Sequence, residues 1–458
     1  MLELSPKSNL VEEHKYRYSL QDVKKPVLYR DVYSYEEIPK VPFNHRRVPM
    51  SMPEEIWITD TSFRDGQQSV NPYTVEQIVD LFKLMSKLGG PYGIIRQTEF
   101  FIYSKKDREA LEKCRELDLQ FPEITTWIRA TKEDFKKVKE LGIRETGILV
   151  SCSDYHIFKK MGMTRKQAME YYLATIKDAF DADVMPRCHL EDITRADIYG
   201  FVVPFVNEIM KLSEETGIPV RIRACDTLGL GVPFTEVSPP RSVAGIIYAL
   251  QHYSEVPSEL IEWHGHNDFY MAVANAATAW LYGASGVNCS LLGIGERTGN
   301  VPLEAMIMQY ASLRGSLDGM RPEVITEIAR YFRDNMGYSI PPMTPFVGRN
   351  FNVTRAGIHA DGLMKDEEIY NIFDTEAILS RPAGVMISKT SGLAGIAYWM
   401  NQNYSLSGDQ MLDKHSPIVE KLKQWVDAEF EDGRVSALSN EEVENKIEEL
   451  SDGYYKRG

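Results

Sequence analysis

The residues best suited to chemistry stand in His264-Gly265-His266-Asn267-Asp268, at the end of an apolar run that reads as a strand over 260–266. Residues i and i+2 of a strand share a face, so both imidazoles could reach one divalent cation. Two histidines satisfied by hydrogen bonds are the plainer alternative, and the position at a strand end running into Asn-Asp favours the metal. A carboxylate is the natural partner of two histidines. Asp65, within TDTSFRDGQQS (59–69), supplies one. Asp before Gly is also a common turn, but Arg64 beside it sets a cation for a substrate anion next to a metal ligand. Asn300 could add an amide oxygen. Mn²⁺, Co²⁺, Mg²⁺ and Zn²⁺ all suit such a donor set.

Arg187, His189 and Glu191 alternate at the end of another strand and share a face by the same period. An arginine aimed into a site is a bidentate carboxylate clamp; an ion pair with Glu191 or Asp192 is the other reading of Arg187. Glu99 and Thr227 extend the polar ring, Thr227 also being a candidate turn cap. A metal, two arginines and several carboxylates fit a 2-oxo acid whose carbonyl is polarised for attack by a C–H acid such as a thioester. GIGERTGN (293–300) has GxGxxxG spacing with no following GK[ST], which matches neither nucleotide fingerprint.

What positions these residues is a rhythm. Apolar runs at 54–60, 93–101, 123–130, 145–153, 182–190, 220–227, 260–266 and 286–293 alternate with stretches of helical period, among them 74–89 and 164–182, each opened by a threonine cap. Eight repeats over about 250 residues predict a (β/α)8 barrel, with chemistry at the strands' C-terminal ends. Those ends are polar, while the strand interiors read as apolar. The expected organisation is an N-terminal arm (1–52), the barrel (53–320), a linker and site-completing subdomain (321–400) and a helical C-terminal subdomain (401–458). The arm is expected to lie over the barrel or over a partner subunit, a disordered tail being the other reading.

Composition bounds the partners. A net charge of −14 argues against a nucleic acid held by phosphate neutralisation. No apolar run is long enough to span a bilayer, and the N-terminus lacks a signal-peptide core. Five widely spaced cysteines with no CxxC pair argue for a reducing cytoplasm rather than a disulfide framework.

Taken in order, R-D-G-x-Q, E, H-x-E-D, D-T, H-x-H-N-D and G-x-G-E-R-T-G-N resemble the 2-isopropylmalate, homocitrate and citramalate synthases of the DRE-TIM metallolyase superfamily, over roughly residues 55–400. The resemblance implies that Arg64 binds a 2-oxo acid. It implies that Asp65, His264 and His266 ligate a divalent metal with Asn300 close by. Gln68 and Thr227 would line the substrate site, and Glu191 would take part in catalysis. TRAGIHADGLMKDEEIY (354–370) resembles the segment that completes the site from a neighbouring subunit, through His359 and Tyr370 of a domain-swapped homodimer. The implied reaction is condensation of acetyl-CoA with a 2-oxo acid. His189 stands where isopropylmalate-forming members have serine, and Arg187 resembles the arginine that holds a far carboxylate. A dicarboxylic acid is therefore expected, oxaloacetate giving citrate, with 2-oxoglutarate, 2-oxoisovalerate and pyruvate as alternatives. A lyase on the same barrel is the competing class, against which the His359/Tyr370 segment argues. No leucine-sensing domain is expected.

Overall fold

The computed structural model describes residues 2–4, 11–13, 16–44 and 46–455. The chain divides into two compact units, Met1–Arg321 and Pro322–Gly458. The first is built on eight parallel strands: β1 (Trp57–Asp60), β2 (Ile95–Phe100), β3 (Glu123–Ile128), β4 (Glu145–Ser151), β5 (Met185–Glu191), β6 (Arg221–Asp226), β7 (Ile261–Gly265) and β8 (Gly286–Cys289). They pair in sequence order, and β8 closes on β1. Helices α1 (Val75–Gly89), α2 (Lys105–Glu116), α3 (Lys132–Glu140), α4 (Arg165–Asp181), α5 (Val203–Thr216), α6 (Val243–His252), α7 (Ala272–Leu281) and α8 (Leu303–Arg314) follow the strands in turn. The expected (β/α)8 barrel is the observed one.

Local chemistry explains the helix starts. Thr74 and Thr164 each accept from the backbone N–H three residues on, and Gln77 and Gln167 return the bond to the cap. α1 then buries Ile78, Leu81, Phe82, Met85 and Leu88, a helical stripe facing the strands.

The barrel interior departs from expectation. Glu99 of β2 accepts from Arg187 of β5 and Arg223 of β6 at 3.3 and 3.1 Å. Contacts between non-adjacent strands must cross the interior, so these residues point inward and their neighbours outward. Arg187 also donates to Gln97 Oε1 at 2.7 Å and to Glu145. Arg223 reaches Glu262 Oε2 at 2.5 Å, and Arg221 reaches Glu145 at 3.2 Å. The strand interiors are thus charged where an apolar filling was expected. The aliphatic residues Ile148, Val150, Leu190, Ile222 and Ala224 occupy the alternate positions, fully buried. Burial alone would neutralise Glu262, yet Arg223 and Arg187 outweigh it and hold the carboxyl at about 2.

The arm is tied to barrel loops. Val27 N donates to Asp154 at 2.7 Å, Tyr33 Oη to Thr194 O at 2.5 Å and Arg241 to Lys40 O at 2.6 Å. The second unit is mostly helical, as expected, with α9 (Val324–Met336), α10 (Gly357–Lys365), α11 (Thr375–Leu379), α12 (Leu393–Asn403), α13 (Pro417–Glu431) and α14 (Asn440–Leu450). A short parallel pair, β9 (Val353–Thr354) with β10 (Gly384–Val385), was not foreseen. Its core gathers Ile396, Trp399, Met400, Val419, Leu422, Val426, Val443 and Ile447.

Candidate active site

At the C-terminal mouth, Asp65, His264 and His266 offer ligand atoms that all lie within 4.8 Å of one another, each side chain buried. Asp65 Oδ2 is 3.9 Å from both histidine Nε2 atoms, which are 3.3 Å apart. His264 Nδ1 meets Asn288 Oδ1 at 2.8 Å, so its N–H is spent there and its Nε2 lone pair faces the triad. Asn300 donates from Nδ2 to Asp65 Oδ2 at 2.8 Å, while its buried Oδ1 has no hydrogen-bond partner. Acceptors converging on one point, with an orphaned amide oxygen beside them, fit a divalent cation.

The loop after β8 brings Asn300 there. Asn300 N donates to Gly293 O at 2.9 Å, and Asn267 N to Gly299 O at 3.0 Å. Gly299 sits at φ +91 with Gly293 O pressed where a Cβ would stand, so no larger residue fits this return.

Charge states agree with metal binding. Burial pushes Asp65 upward, but Arg64, then His264 and His266, outweigh it and hold it at about 2. Burial, then His264, pushes His266 down to about 4, and His264 is lowered chiefly by burial. An ionised carboxylate with two neutral imidazoles is the form that coordinates.

The Arg64 guanidinium stands over Trp127, 4.6 Å from the ring centroid, with Nη1 at 3.2 Å from Asp65 and Nε at 3.8 Å from Glu99. Its Nε–H makes no hydrogen bond. His189 stands one inward position above Arg187, neutral because burial and then Arg223 and Arg64 disfavour its cation. Its ring has room because β4 carries Gly147 opposite; a Cβ there would meet His189 Nε2 at 2.6 Å. Arg187 and Glu99 are in the charged layer beneath, 1% and 0% exposed, and Arg187 pairs with Glu99, Glu145 and Glu262 rather than with Glu191 or Asp192. Thr227 Oγ1 accepts from Asp192 N at 2.9 Å, joining the ends of β5 and β6. Gln68 is exposed, whereas the neighbouring Gln67 is buried and accepts from Lys106 at 3.1 Å.

Glu191 has company that sequence reasoning missed. A wide turn, Tyr155–Lys160, follows β4 and brings His156 Nδ1 to 2.8 Å and Lys160 Nζ to 3.1 Å from Glu191 Oε2, which Ser151 Oγ also reaches. Burial opposes ionisation, but these bonds and charges hold Glu191 at about 2. The i, i+4 spacing of His156 and Lys160 just past a strand end was the available signal. In the second unit, His359 and Tyr370 come together with ring centroids 4.4 Å apart, and His359 Nδ1 lies 3.2 Å from Thr354 Oγ1.

Comparison with known proteins follows the same lines. The family described as HMGL-like matches residues 55–330. The chain is 58% identical over 429 residues to the citrate (Re)-synthase of Clostridium kluyveri, covering 94% of this chain and 95% of that one. It is 55% identical to the citrate (Re)-synthase of Syntrophus aciditrophicus, covering 94% and 69%. A 2-phosphinomethylmalate synthase of Streptomyces hygroscopicus is 37% identical, covering 94% and 98%. Among solved structures, hydroxymethylglutaryl-CoA lyase from Pseudomonas aeruginosa superimposes with a TM-score of 0.50 at 20% identity, covering 63% of this chain and 95% of that one, a likeness of fold alone.

Proposed function

The chain belongs to the HMGL-like family, and we propose that it condenses acetyl-CoA with oxaloacetate to give citrate and free CoA. The observation that carries this reading is identity above half, sustained over 94% of the chain, to two citrate (Re)-synthases. Five free thiols suit a reducing cytoplasm, and no helix among the described residues is long and apolar enough to cross a membrane.

Arg64 receives the carboxylate of the 2-oxo acid through its open N–H donors. A divalent cation (Mn²⁺, Co²⁺, Mg²⁺ or Zn²⁺) held by Asp65, His264 and His266, with the Asn300 amide oxygen alongside, would polarise the keto group. His189, Thr227 and Gln68 line the acid, while Glu99 and Arg187 act from beneath by fixing Arg64 and His189. Glu191, kept anionic, orients the reacting groups. His359, backed by Tyr370 and supplied by the other chain of a domain-swapped homodimer, takes a methyl proton from acetyl-CoA. The methyl carbon then bonds to the keto carbon, whose oxygen is protonated to a hydroxyl. Water adds to the thioester carbonyl, the C–S bond breaks, and CoA leaves as the thiol.

Thiol release from acetyl-CoA after chelator treatment tests this, with oxaloacetate, 2-oxoglutarate, 2-oxoisovalerate and pyruvate compared side by side. Release with oxaloacetate, only once Mn²⁺ is restored, is expected. A preference for 2-oxoglutarate would keep the mechanism and change the acid, and no release with any acid would favour a lyase. For the swap, mixed Asp65→Ala and His359→Ala chains should regain activity that neither variant has alone.

A further inference from the structure

Three cations gather around the ring of Tyr155, in the turn that also carries His156 and Lys160. The Arg195 guanidinium lies 4.0 Å from the ring centroid, Lys159 Nζ 5.5 Å and the Arg30 guanidinium 5.8 Å. They come from three separate places: the arm, the turn after β4 and the segment after β5. Tyr155 Oη donates to Leu28 O at 2.8 Å, which holds the arm and its Arg30 against the turn. Arg195 is paired with Asp192 at 2.8 Å. Among the described residues neither Arg30 nor Lys159 has a carboxylate within ion-pair distance; Arg30 reaches only Tyr33 O, at 3.4 Å. Asp154, beside Tyr155, is taken by the buried Arg165 at 2.8 Å.

Converging like charges repel, and cation–π attraction at a half-buried ring such as that of Tyr155 offsets that only modestly. In a chain with 66 acidic against 52 basic residues, a patch in which two of three cations lack a carboxylate is against the grain. It begins where the mouth ends, since Lys160, the next residue after Lys159, is on Glu191. Arg30 and Lys159 are exposed, so their donors are open to a large anion.

We infer that Arg30, Lys159 and Arg195 around Tyr155 form the subsite for the phosphates of the coenzyme A thioester, its diphosphate and ribose 3′-phosphate. Arginine and lysine donors at a patch edge suit phosphate oxygens, and the shared turn leads the thioester end toward Glu191. The inference rests on the acetyl-CoA reading above.

The test compares acetyl-CoA with S-acetylpantetheine, which lacks all three phosphates. In an Arg30→Ala/Lys159→Ala variant, KM for acetyl-CoA should rise roughly ten- to a hundredfold. kcat, KM for oxaloacetate and turnover of S-acetylpantetheine should stay as in the parent. Charge-preserving Arg30→Lys/Lys159→Arg should restore most of the loss, and added salt should raise KM for acetyl-CoA more in the parent than in the alanine variant. An unchanged KM for acetyl-CoA would overturn the subsite, as would an equal loss with S-acetylpantetheine. If the parent releases no thiol with any 2-oxo acid, the proposed function fails, and the subsite is read by calorimetry with adenosine 3′,5′-bisphosphate. Binding weakened about tenfold in the alanine variant then supports it, and equal or absent binding in both proteins overturns it.

Discussion

Two sets of buried charges lie one inward layer apart in the same barrel, and they are built on opposite principles. In the lower set, Glu99, Glu145 and Glu262 face Arg187, Arg223 and the half-buried Arg221, three charges against three, each guanidinium in reach of a carboxylate. In the upper set, Asp65, His264 and His266 turn acceptor atoms toward one another, and Asn300 keeps an oxygen without a partner. The lower arrangement balances its charges within the protein alone, although Arg187 Nε and Arg223 Nη2 are buried without a hydrogen bond. The upper one leaves acceptors that a cation would satisfy. A buried charge met by its opposite is scaffold; buried lone pairs that converge mark a place for something else.

The sharpest way to break this comparison is to remove one member of each set. Asp65→Ala is expected to cut thiol release by at least about a thousandfold, with the fold retained by circular dichroism and Mn²⁺ no longer held after dialysis. A fully active variant would move the metal elsewhere. Arg223→Met should do the reverse and act on stability. It leaves Glu99, Glu145 and Glu262 to share Arg187 in the interior, at a cost of about 3–5 kcal/mol in urea unfolding. Adding Glu262→Leu should recover part of that loss, because the second charge no longer lacks its partner. Full additivity of the two losses would mean that the layer is not a coupled network.

Glu304, at the start of α8, sharpens the comparison from a third side. It is a buried carboxyl with no cation near it among the described residues, accepting from Leu292 N at 3.1 Å, and burial pushes it up to about 7. Such a group protonates instead of recruiting a partner. Its folded pKa lies above its unfolded one, so its contribution is full below about 4.5 and is lost as pH rises through about 7. Glu304→Gln keeps the acceptor and removes the titration. The variant should match the parent near pH 4.5 and exceed it by on the order of 3 kcal/mol above pH 7, read from thermal unfolding across that range. Parallel curves would show that Glu304 is ionised in the folded protein.

Much of this was legible beforehand, and the reason is parity. The eight strands announced themselves because most of their outward residues are apolar and buried, among them Ile58, Ile148, Val150, Leu190, Ile222, Trp263 and Val287, and the HxH pair declared itself by its i, i+2 spacing. The same parity carried one step down β7 reaches Glu262, and down β6 from Cys225 reaches Arg223. Both were passed over because a parallel strand buried on two faces is expected to be apolar throughout. His156 and Lys160 escaped for another reason. They act on Glu191 from a turn, and the closeness of the β4 and β5 ends is a property of the closed barrel rather than of either segment. Likewise, nothing local separates Gln67 from Gln68; which one is buried follows from the short turn, Gly66–Gln68, that closes after Asp65.

The smallest expected effect falls on the joint between the two sets. Asn288 accepts from His264 Nδ1 at 2.8 Å and donates to Thr59 Oγ1 at 2.9 Å, and Thr59 in turn donates to Glu262, the partner of Arg223. The orientation of the His264 imidazole is thereby anchored in the charged layer below. Asn288→Ala cuts that line without removing a ligand or a charge. Mn²⁺ affinity should fall by about ten- to a hundredfold in calorimetry, as for other partners that fix a ligand's tautomer, while unfolding stability changes far less than in Arg223→Met. If affinity holds, His264 is oriented by the closure of β7 on β8 alone, and the two layers are neighbours without being coupled. If affinity falls and Glu262→Gln lowers it too, the scaffold charges set the geometry of the site above them.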